Sequence, residues 1–98
     1  FGQCNYAASK SALFGFSKSL AQEVASKGIT VNTISPGYID TPMLAGVKDE
    51  VLRSIIASIP VGRLGRPEEI ARVVAFLAAR ESSFITGANL DVNGGQYM

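Results

Sequence analysis

The order of elements, a long helix followed at once by a nonpolar strand, constrains the fold of this chain more than any other feature. Residues 5–27 are good helix formers, and Gly28 supplies a stop. Residues 29–35 are rich in Ile, Val and Thr and alternate little, which predicts a strand buried on both faces of a parallel sheet and ended by Pro36 and Gly37. An apolar stripe along the helix is formed by Leu13, Phe16, Leu20 and Val24.

The rest of the chain continues the alternation of helices and strands. Residues 38–46 lack periodicity and predict a loop, after which a second, shorter helix follows. A third helix is predicted to begin at Pro67 and to end near Ala79, and residues 88–92 predict a strand that contains Asp91. The apolar faces of these two helices are formed by Leu52, Ile55, Ile56 and Ile59, and by Ile70, Val73, Val74 and Leu77.

Helix, strand, two helices and strand is the order of a doubly wound α/β fold with a parallel sheet. Two parallel strands make an incomplete sheet, because its faces and edges need further strands and helices to cover them. The chain also starts at Phe1, within a few residues of a strongly patterned helix. We therefore expect a fragment of a larger domain that folds poorly by itself.

Composition and charge disfavour several classes of protein. Of the 98 residues, 47% are hydrophobic and 17% are charged, as in a folded water-soluble domain, and the net charge of +1 comes without a basic run for nucleic acid. Apolar runs are far shorter than the roughly 20 residues that cross a bilayer, so a cytoplasmic protein is expected. Cys4, the single cysteine, lacks a histidine base and is predicted to be a small packed thiol.

Tyr6 and Lys10 lie four residues apart and therefore on one face of the first helix. Reduction of a ketone needs a hydride on carbon and a proton on the emerging alkoxide, and a tyrosine hydroxyl is a suitable proton donor. A neighbouring ammonium favours the phenolate, and its three donors can also hold the hydroxyls of a cofactor sugar. A tyrosine and a lysine at this spacing also arise by chance on helix surfaces, so the pair alone is a weak signal.

The loop after the first strand is the second candidate site. Ligands of open α/β sheets bind outside the carboxyl ends of the strands, where residues 36–41 are expected. Pro36 fixes the backbone there, and Gly37 lets it approach a ligand closely. The alternative is a simple strand-ending turn. The presence of Tyr6 and Lys10 upstream favours the binding loop.

Several segments, taken in order, resemble short-chain dehydrogenase/reductases. They are Asn5-Tyr6-Ala7-Ala8-Ser9-Lys10, Val31-Asn32-Thr33-Ile34-Ser35-Pro36-Gly37, Arg63-Leu64-Gly65-Arg66-Pro67-Glu68-Glu69-Ile70-Ala71, Thr86-Gly87 and Asn93-Gly94-Gly95. The resemblance covers essentially all 98 residues. It implies that residues 1–98 are the C-terminal part of a single Rossmann-type domain with a doubly wound parallel sheet, whose N-terminal nucleotide-binding half is absent from the chain.

Within the family, the chain resembles the β-ketoacyl reductase branch, which includes acetoacetyl-CoA reductases and 3-oxoacyl-acyl-carrier-protein reductases. The segments that favour the acetoacetyl-CoA type are Phe1-Gly2-Gln3, Asn32-Thr33-Ile34-Ser35-Pro36-Gly37-Tyr38-Ile39 and Asn93-Gly94-Gly95-Gln96-Tyr97-Met98. The carrier-protein type shares much of this pattern. Both substrates, an acyl-CoA and an acyl-carrier-protein thioester, therefore stay open.

The resemblance also implies roles for individual residues. Tyr6 is the proton donor, and Lys10 assists it and binds the nicotinamide ribose. Ile39 offers backbone groups to the nicotinamide carboxamide, and Thr41 adds a hydroxyl contact. The remaining residues of the implied cofactor-binding loop are Pro36, Gly37 and Tyr38. The expected cofactor is NADPH, with NADH left open because the chain contains no Gly-x-Gly pair from which to judge.

Substrate contacts are implied for Gln3, Gly37, Tyr38 and Lys48, with an ordinary helix-end lysine as the alternative for Lys48. Arg63 and Arg66 are interpreted as solvated or paired surface charges. The resemblance implies a homotetramer and no bound metal. A hypothesis of another class is that the chain is a catalytically silent fragment or structural partner that merely retains the reductase pattern.

Overall fold

The computed structural model describes residues 3–96 of the chain. Four helices are present in this part, α1 (Gln3–Val24), α2 (Pro42–Ala45), α3 (Asp49–Ala57) and α4 (Pro67–Ala78), with two strands, β1 (Thr33–Pro36) and β2 (Asn89–Val92). Single 3₁₀ turns lie at Ala25–Lys27 and Arg80–Ser82. The described residues divide into two compact units, the first made of residues 3–33 and 76–90 and the second of residues 34–75 and 91–96. The predicted α/β class is confirmed.

The strands β1 and β2 pair in parallel. The N–H of Thr33 donates to the carbonyl of Ala88 at 2.9 Å, and the N–H of Gly37 donates to the carbonyl of Val92 at 2.9 Å. From the first bond to the second, the donor residue and the acceptor residue advance along the chain in the same direction and by the same number of residues. This is the register of a parallel ladder. The carboxyl ends of the two strands therefore lie at one edge of the sheet.

Helix α1 ends where the sequence predicts. Its last turn tightens into the 3₁₀ turn Ala25–Lys27, and Gly28 follows with a left-handed φ of 76°. The N–H of Gly28 donates to the carbonyl of Ala25 at 3.0 Å and so satisfies one of the groups that a helix end leaves unpaired.

The buried face of α1 differs from the predicted apolar stripe. Leu13 and Phe16 are exposed, whereas Ser17 and Ala21 are buried. A Cβ placed on Gly87 would lie 3.7 Å from the Cβ of Ala21, so the loop backbone comes close to the helix at this point. Close approach of a backbone leaves room only for a small side chain, such as that of Ala21.

Strand β1 is shorter at its start than predicted and includes Pro36. The N–H of Val31 donates to the hydroxyl of Thr86 at 3.0 Å, and the carbonyl of Val31 accepts from the N–H of Gly87 at 2.7 Å. A side chain thus takes the place that a backbone carbonyl has in a strand ladder. The strand is also not buried on both faces: only Ser35 is buried, and its neighbours are half-buried or exposed.

Asn32 holds the entry to β2. Its side-chain amide donates to the carbonyl of Ile85 at 3.1 Å, and its side-chain oxygen accepts from the N–H of Ala88 at 3.0 Å. Both the donor and the acceptor of the amide are satisfied by backbone 53 and 56 residues away. The Asn in this segment is therefore a structural residue.

The segment 38–46 is not wholly a loop, because the one-turn helix α2 lies inside it with Pro42 in its first turn, a position that proline favours. Helices α3 and α4 and strand β2 confirm the predictions for those regions, and Ile59 is buried just beyond α3. The end of α4 is closed by the hydroxyl of Ser82, which donates to the carbonyl of Phe76. Between residues 3 and 96 no helix has the length and apolar character needed to cross a bilayer.

Candidate active site

Tyr6 and Lys10 lie one turn apart on α1, in the first unit. The Lys10 Nζ lies 5.7 Å from the centroid of the Tyr6 ring, and Lys10 is half-buried while Tyr6 is 67% exposed. The ammonium therefore faces the phenol, as the four-residue spacing predicts. An exposed ring with a cation against it leaves the phenol open to a ligand that approaches from outside the helix.

Phe14 extends this arrangement by a further turn. The Lys10 Nζ lies 6.0 Å from the centroid of the Phe14 ring, so the ammonium has an aromatic ring on each side along the helix. An ammonium against an aromatic ring gains about 0.5–1 kcal/mol at an exposed site. The sequence offered a signal for this contact, since Phe14 follows Lys10 by four residues.

The second group of predicted residues lies in the second unit, at the carboxyl edge of the sheet. Gly37 follows β1, and Asn93 follows β2. A Cβ on Gly37 would lie 2.8 Å from both the Cα and the Cβ of Asn93, so the two loop backbones touch. Gly37 thus allows the close approach that was predicted, but its neighbour in this structure is the chain itself.

Ile39 forms a short parallel bridge with Gly65. The N–H of Gly65 donates to the carbonyl of Tyr38 at 2.9 Å, and the N–H of Asp40 donates to the carbonyl of Gly65 at 2.8 Å. In a parallel ladder the groups on either side of the bridged residue make the bonds, and the residue's own N–H and carbonyl point the other way. The backbone N–H and carbonyl of Ile39 therefore point away from Gly65.

Thr41 precedes the first turn of α2 with an extended backbone, and its carbonyl accepts from the N–H of Leu44 at 3.0 Å. Its hydroxyl makes no capping bond to the helix, although this position suits a threonine cap. Lys48 precedes α3 and is exposed, and its carbonyl accepts from the N–H of Leu52. The side chain of Gln3 lies outside the described part of the structure.

A pocket of about 140 Å³ lies beside Ile39 in the second unit. Its wall combines apolar side chains, two loop backbones and one ion pair. The residues that line it are Tyr38, Ile39, Ile59, Val61, Arg63, Gly65, Glu69, Val92, Asn93 and Gly94. The carboxyl edge of the sheet is thus concave, as binding sites of α/β proteins are.

Glu69 and Arg63 form the ion pair of this pocket. Arg63 Nη1 donates to Glu69 Oε1 at 2.7 Å and Nη2 donates to Oε2 at 3.1 Å, while the N–H of Arg66 donates to Oε1 at 2.9 Å. The hydrogen bond from Arg63, then that from Arg66, lowers the pKa of Glu69 from its ordinary 4.5 to about 2. The hydrogen bond and charge of Glu69 raise the pKa of Arg63. Arg63 is therefore a paired surface charge, as predicted.

The sequence predictions missed two features of the site and misplaced one residue. The hydrogen bonds to Glu69 and the bridge of Gly65 were not predicted; the Glu three residues after Arg66 is the spacing of a capping box and was the available signal. Cys4 is exposed rather than packed, because it lies on a first turn of α1 that nothing in the described residues covers. No cluster of metal-ligating side chains occurs among residues 3–96.

Comparisons with known proteins place the chain in a family. A profile of the family described as enoyl-(acyl carrier protein) reductase matches residues 2–96. The chain is 57% identical over 98 residues to an acetoacetyl-CoA reductase of Allochromatium vinosum and 56% identical over 98 residues to one of Cupriavidus necator. It is 59% identical over 97 residues to a 3-oxoacyl-[acyl-carrier-protein] reductase of Salmonella typhimurium.

These matches cover 99–100% of this chain but only 40% of each relative, so the chain spans about two-fifths of the length of the proteins it matches. The chain therefore belongs to this family of short-chain dehydrogenase/reductases, within its β-ketoacyl reductase branch.

Proposed function

We propose that the protein reduces the 3-keto group of a short acyl thioester, with acetoacetyl-CoA to 3-hydroxybutyryl-CoA as the first candidate reaction. The observation that carries the proposal is the pairing of Tyr6 with Lys10 on one helix face, the ammonium 5.7 Å from the ring centroid. The chemistry of the relatives' names, which are all reductases of 3-oxo thioesters, supports the same reaction.

A bound nicotinamide cofactor, NADPH by preference, would supply the hydride that the keto carbon takes up in this reaction. Tyr6 donates its hydroxyl proton to the carbonyl oxygen as that oxygen becomes an alkoxide, so that one hydride and one proton convert the ketone to a secondary alcohol. Lys10 stabilises the phenolate that Tyr6 leaves behind, through its positive charge. The same ammonium binds the hydroxyls of the cofactor's nicotinamide ribose.

The residues at the carboxyl edge of the sheet fit a nicotinamide carboxamide. The carboxamide has an NH2 group that donates and a carbonyl oxygen that accepts, and the outward carbonyl and N–H of Ile39 offer the matching pair. The Thr41 hydroxyl, which makes no cap bond, supplies a further contact. Pro36, Gly37 and Tyr38 complete the loop on which these groups are held.

For the substrate we propose contacts from Gln3, Gly37, Tyr38 and Lys48, the last through a phosphate-bearing carrier. Lys48 is exposed at the start of α3, where an ammonium can meet an anionic group from solvent. A 3-oxoacyl-acyl-carrier-protein thioester is the alternative substrate. The relatives divide between the two names at nearly equal identity. Kinetic measurements on both substrates decide between them.

We further propose that residues 1–98 are the C-terminal part of one Rossmann-type reductase domain, completed by a nucleotide-binding half. The half-buried strands and the exposed α1 support this, since a Rossmann sheet is normally covered on both faces. A cytoplasmic homotetramer is the proposed assembly. Light scattering of the purified protein at micromolar concentration tests it, and a monomer would contradict it.

The function is tested with the protein expressed from its own gene. Initial rates are measured with acetoacetyl-CoA and with acetoacetyl-acyl-carrier-protein, each with NADPH and with NADH, by the loss of absorbance of the reduced cofactor. We expect the highest kcat/KM for acetoacetyl-CoA with NADPH. Faster reduction of the carrier-protein substrate would favour the alternative, and no oxidation of either cofactor would favour the catalytically silent fragment.

A further inference from the structure

The carboxylate of Glu69 braces a loop from two sides. It accepts two hydrogen bonds from the guanidinium of Arg63 and one from the backbone N–H of Arg66. Gly65 lies between these two arginines in the chain. The loop segment 63–66 is therefore held to the start of α4 at both of its ends, through one side chain.

Segment 63–66 pairs with the backbone around Ile39, which is the proposed contact of the nicotinamide carboxamide. Gly65 makes both backbone hydrogen bonds of the bridge, to Tyr38 and from Asp40, and these two residues flank Ile39. A Cβ on Gly65 would lie 2.7 Å from the Cδ1 of Ile39, so the side chain of Ile39 also rests on this glycine. A shift of Gly65 therefore turns the backbone of Ile39.

Two backbone hydrogen bonds hold the beginning of the loop. The N–H of Val61 donates to the carbonyl of Gly94 at 3.1 Å, and the N–H of Gly62 donates to the carbonyl of Ile59 at 2.8 Å. Beyond Gly62 the loop is held by the bonds of Gly65, by the bonds to Glu69, and by Arg63 Nη1, which donates to the carbonyl of Leu64 at 3.0 Å.

A single exposed ion pair usually adds little to stability. The Glu69 carboxylate differs because it binds the guanidinium with both oxygens and also caps the first turn of α4, in the manner of a capping box. Three hydrogen bonds from two parts of the loop restrict its position more than a one-point contact between flexible side chains.

We propose that Glu69 is a positioning residue: through Arg63 and the backbone of Arg66 it fixes Gly65, and through Gly65 it orients the N–H and carbonyl of Ile39 that receive the nicotinamide carboxamide. The inference rests on the proposed function, because it assigns to Ile39 the role proposed above. In this role Glu69 acts through the loop backbone.

The test compares Glu69→Ala with Glu68→Ala in the protein expressed from its own gene. Glu68 lies in the same first turn of α4, so its loss removes the same charge from the helix end without touching the brace. Amide hydrogen exchange of Asp40 and Gly65 is measured by mass spectrometry or NMR, and kcat and KM are measured for NADPH.

In Glu69→Ala we expect the two amides to exchange about tenfold faster and the KM for NADPH to rise about tenfold, with kcat changed by less than about threefold. Glu68→Ala should leave all three quantities near wild type. Arg63→Ala should reproduce the Glu69→Ala result, and the double variant should be no worse than the worse single variant, because the two side chains act as one unit.

Unchanged exchange at Asp40 and Gly65 in Glu69→Ala would overturn the brace, and faster exchange with an unchanged KM would overturn its positioning role. If Glu69→Ala fails to fold, Glu69→Gln decides, since it keeps the size and one acceptor but loses the charge. A wild-type protein that oxidises no cofactor refutes the proposed function, whereas the exchange experiment still tests the brace.

Discussion

Gly37 and Asn93 lie so close that a Cβ on Gly37 would be 2.8 Å from both the Cα and the Cβ of Asn93. No normal carbon contact is that short, so any side chain here must push the two loops apart. The loops that follow β1 and β2 therefore pack against each other at a point where only a residue without a Cβ fits.

Gly37→Ala should consequently lower the free energy of unfolding by about 1–3 kcal/mol, as overpacking does. Gly15→Ala is the matched control, because nothing lies within 4 Å of its added Cβ and it stands inside α1, where alanine should stabilise by about 0.5–1 kcal/mol. Urea unfolding of both variants measures the difference. Equal effects of the two substitutions would contradict the close fit.

Tyr6→Phe should lower kcat by about 10²–10⁴-fold while leaving cofactor affinity nearly intact, since only the proton-donating hydroxyl is lost. Lys10→Ala should lower both kcat and cofactor affinity, because it removes the charge beside Tyr6 and the proposed ribose contact together. Steady-state kinetics and titration calorimetry with NADPH separate the two effects. Activity of Tyr6→Phe within a few-fold of wild type would refute the role of Tyr6.

The Glu69 ion pair predicts a pH window for stability. Its folded pKa of about 2 lies below the ordinary value of 4.5, so the pair stabilises the protein fully above about pH 4.5 and loses its effect as the pH falls towards about 2. The charged groups that act on Glu69 are Arg63 and Arg66. Because the pair is exposed, about 1 M salt should weaken the effect.

The measurement is the urea midpoint of wild type and Glu69→Gln between pH 7 and pH 2. The difference in urea midpoint between the two proteins should disappear as the pH falls from about 4.5 towards about 2. With Arg63→Ala as the background, the main cause of the low pKa is gone, so the gap should be small at every pH. A difference in urea midpoint that stays constant down to pH 2 would show that this ion pair is not the cause of the difference.

Asn32→Asp should lower the free energy of unfolding by about 1–3 kcal/mol, because a carboxylate oxygen then faces the carbonyl of Ile85 where an amide donor stood. Asn5→Asp makes the same chemical change at an exposed position in the first turn of α1. That control should be neutral or slightly stabilising, since a negative charge suits the start of a helix. Thermal unfolding at neutral pH compares them.

Local chemistry in the sequence was enough to predict most of the fold. The glycine that ends α1, the proline and acidic residues that start α4, and the β-rich segments are all signals carried by neighbouring residues, and each predicted its element. The contact between Tyr6 and Lys10 followed from helical spacing in the same way.

What the sequence could not predict depends on contacts between distant residues. The N–H of Val31, just before β1, donates to the hydroxyl of Thr86, 55 residues away, and no local rule connects the two. The ion pair that helps to hold Gly65 joins Arg63 and Glu69 across a turn. Their spacing of six residues brings side chains together neither in a helix nor in a strand. Likewise, Gly87 approaches α1 at Ala21, 66 residues earlier in the chain, and no local pattern predicts that this alanine is buried.

The hydrogen bond from Val31 to the Thr86 hydroxyl has an evolutionary consequence. Main-chain rungs of a sheet survive nearly every amino-acid exchange, because all residues except proline carry the same N–H and carbonyl. The bond from Val31 lies just before β1 and belongs to a side chain instead. One codon therefore decides whether this bond exists, and serine, which keeps a hydroxyl, is the replacement most compatible with it.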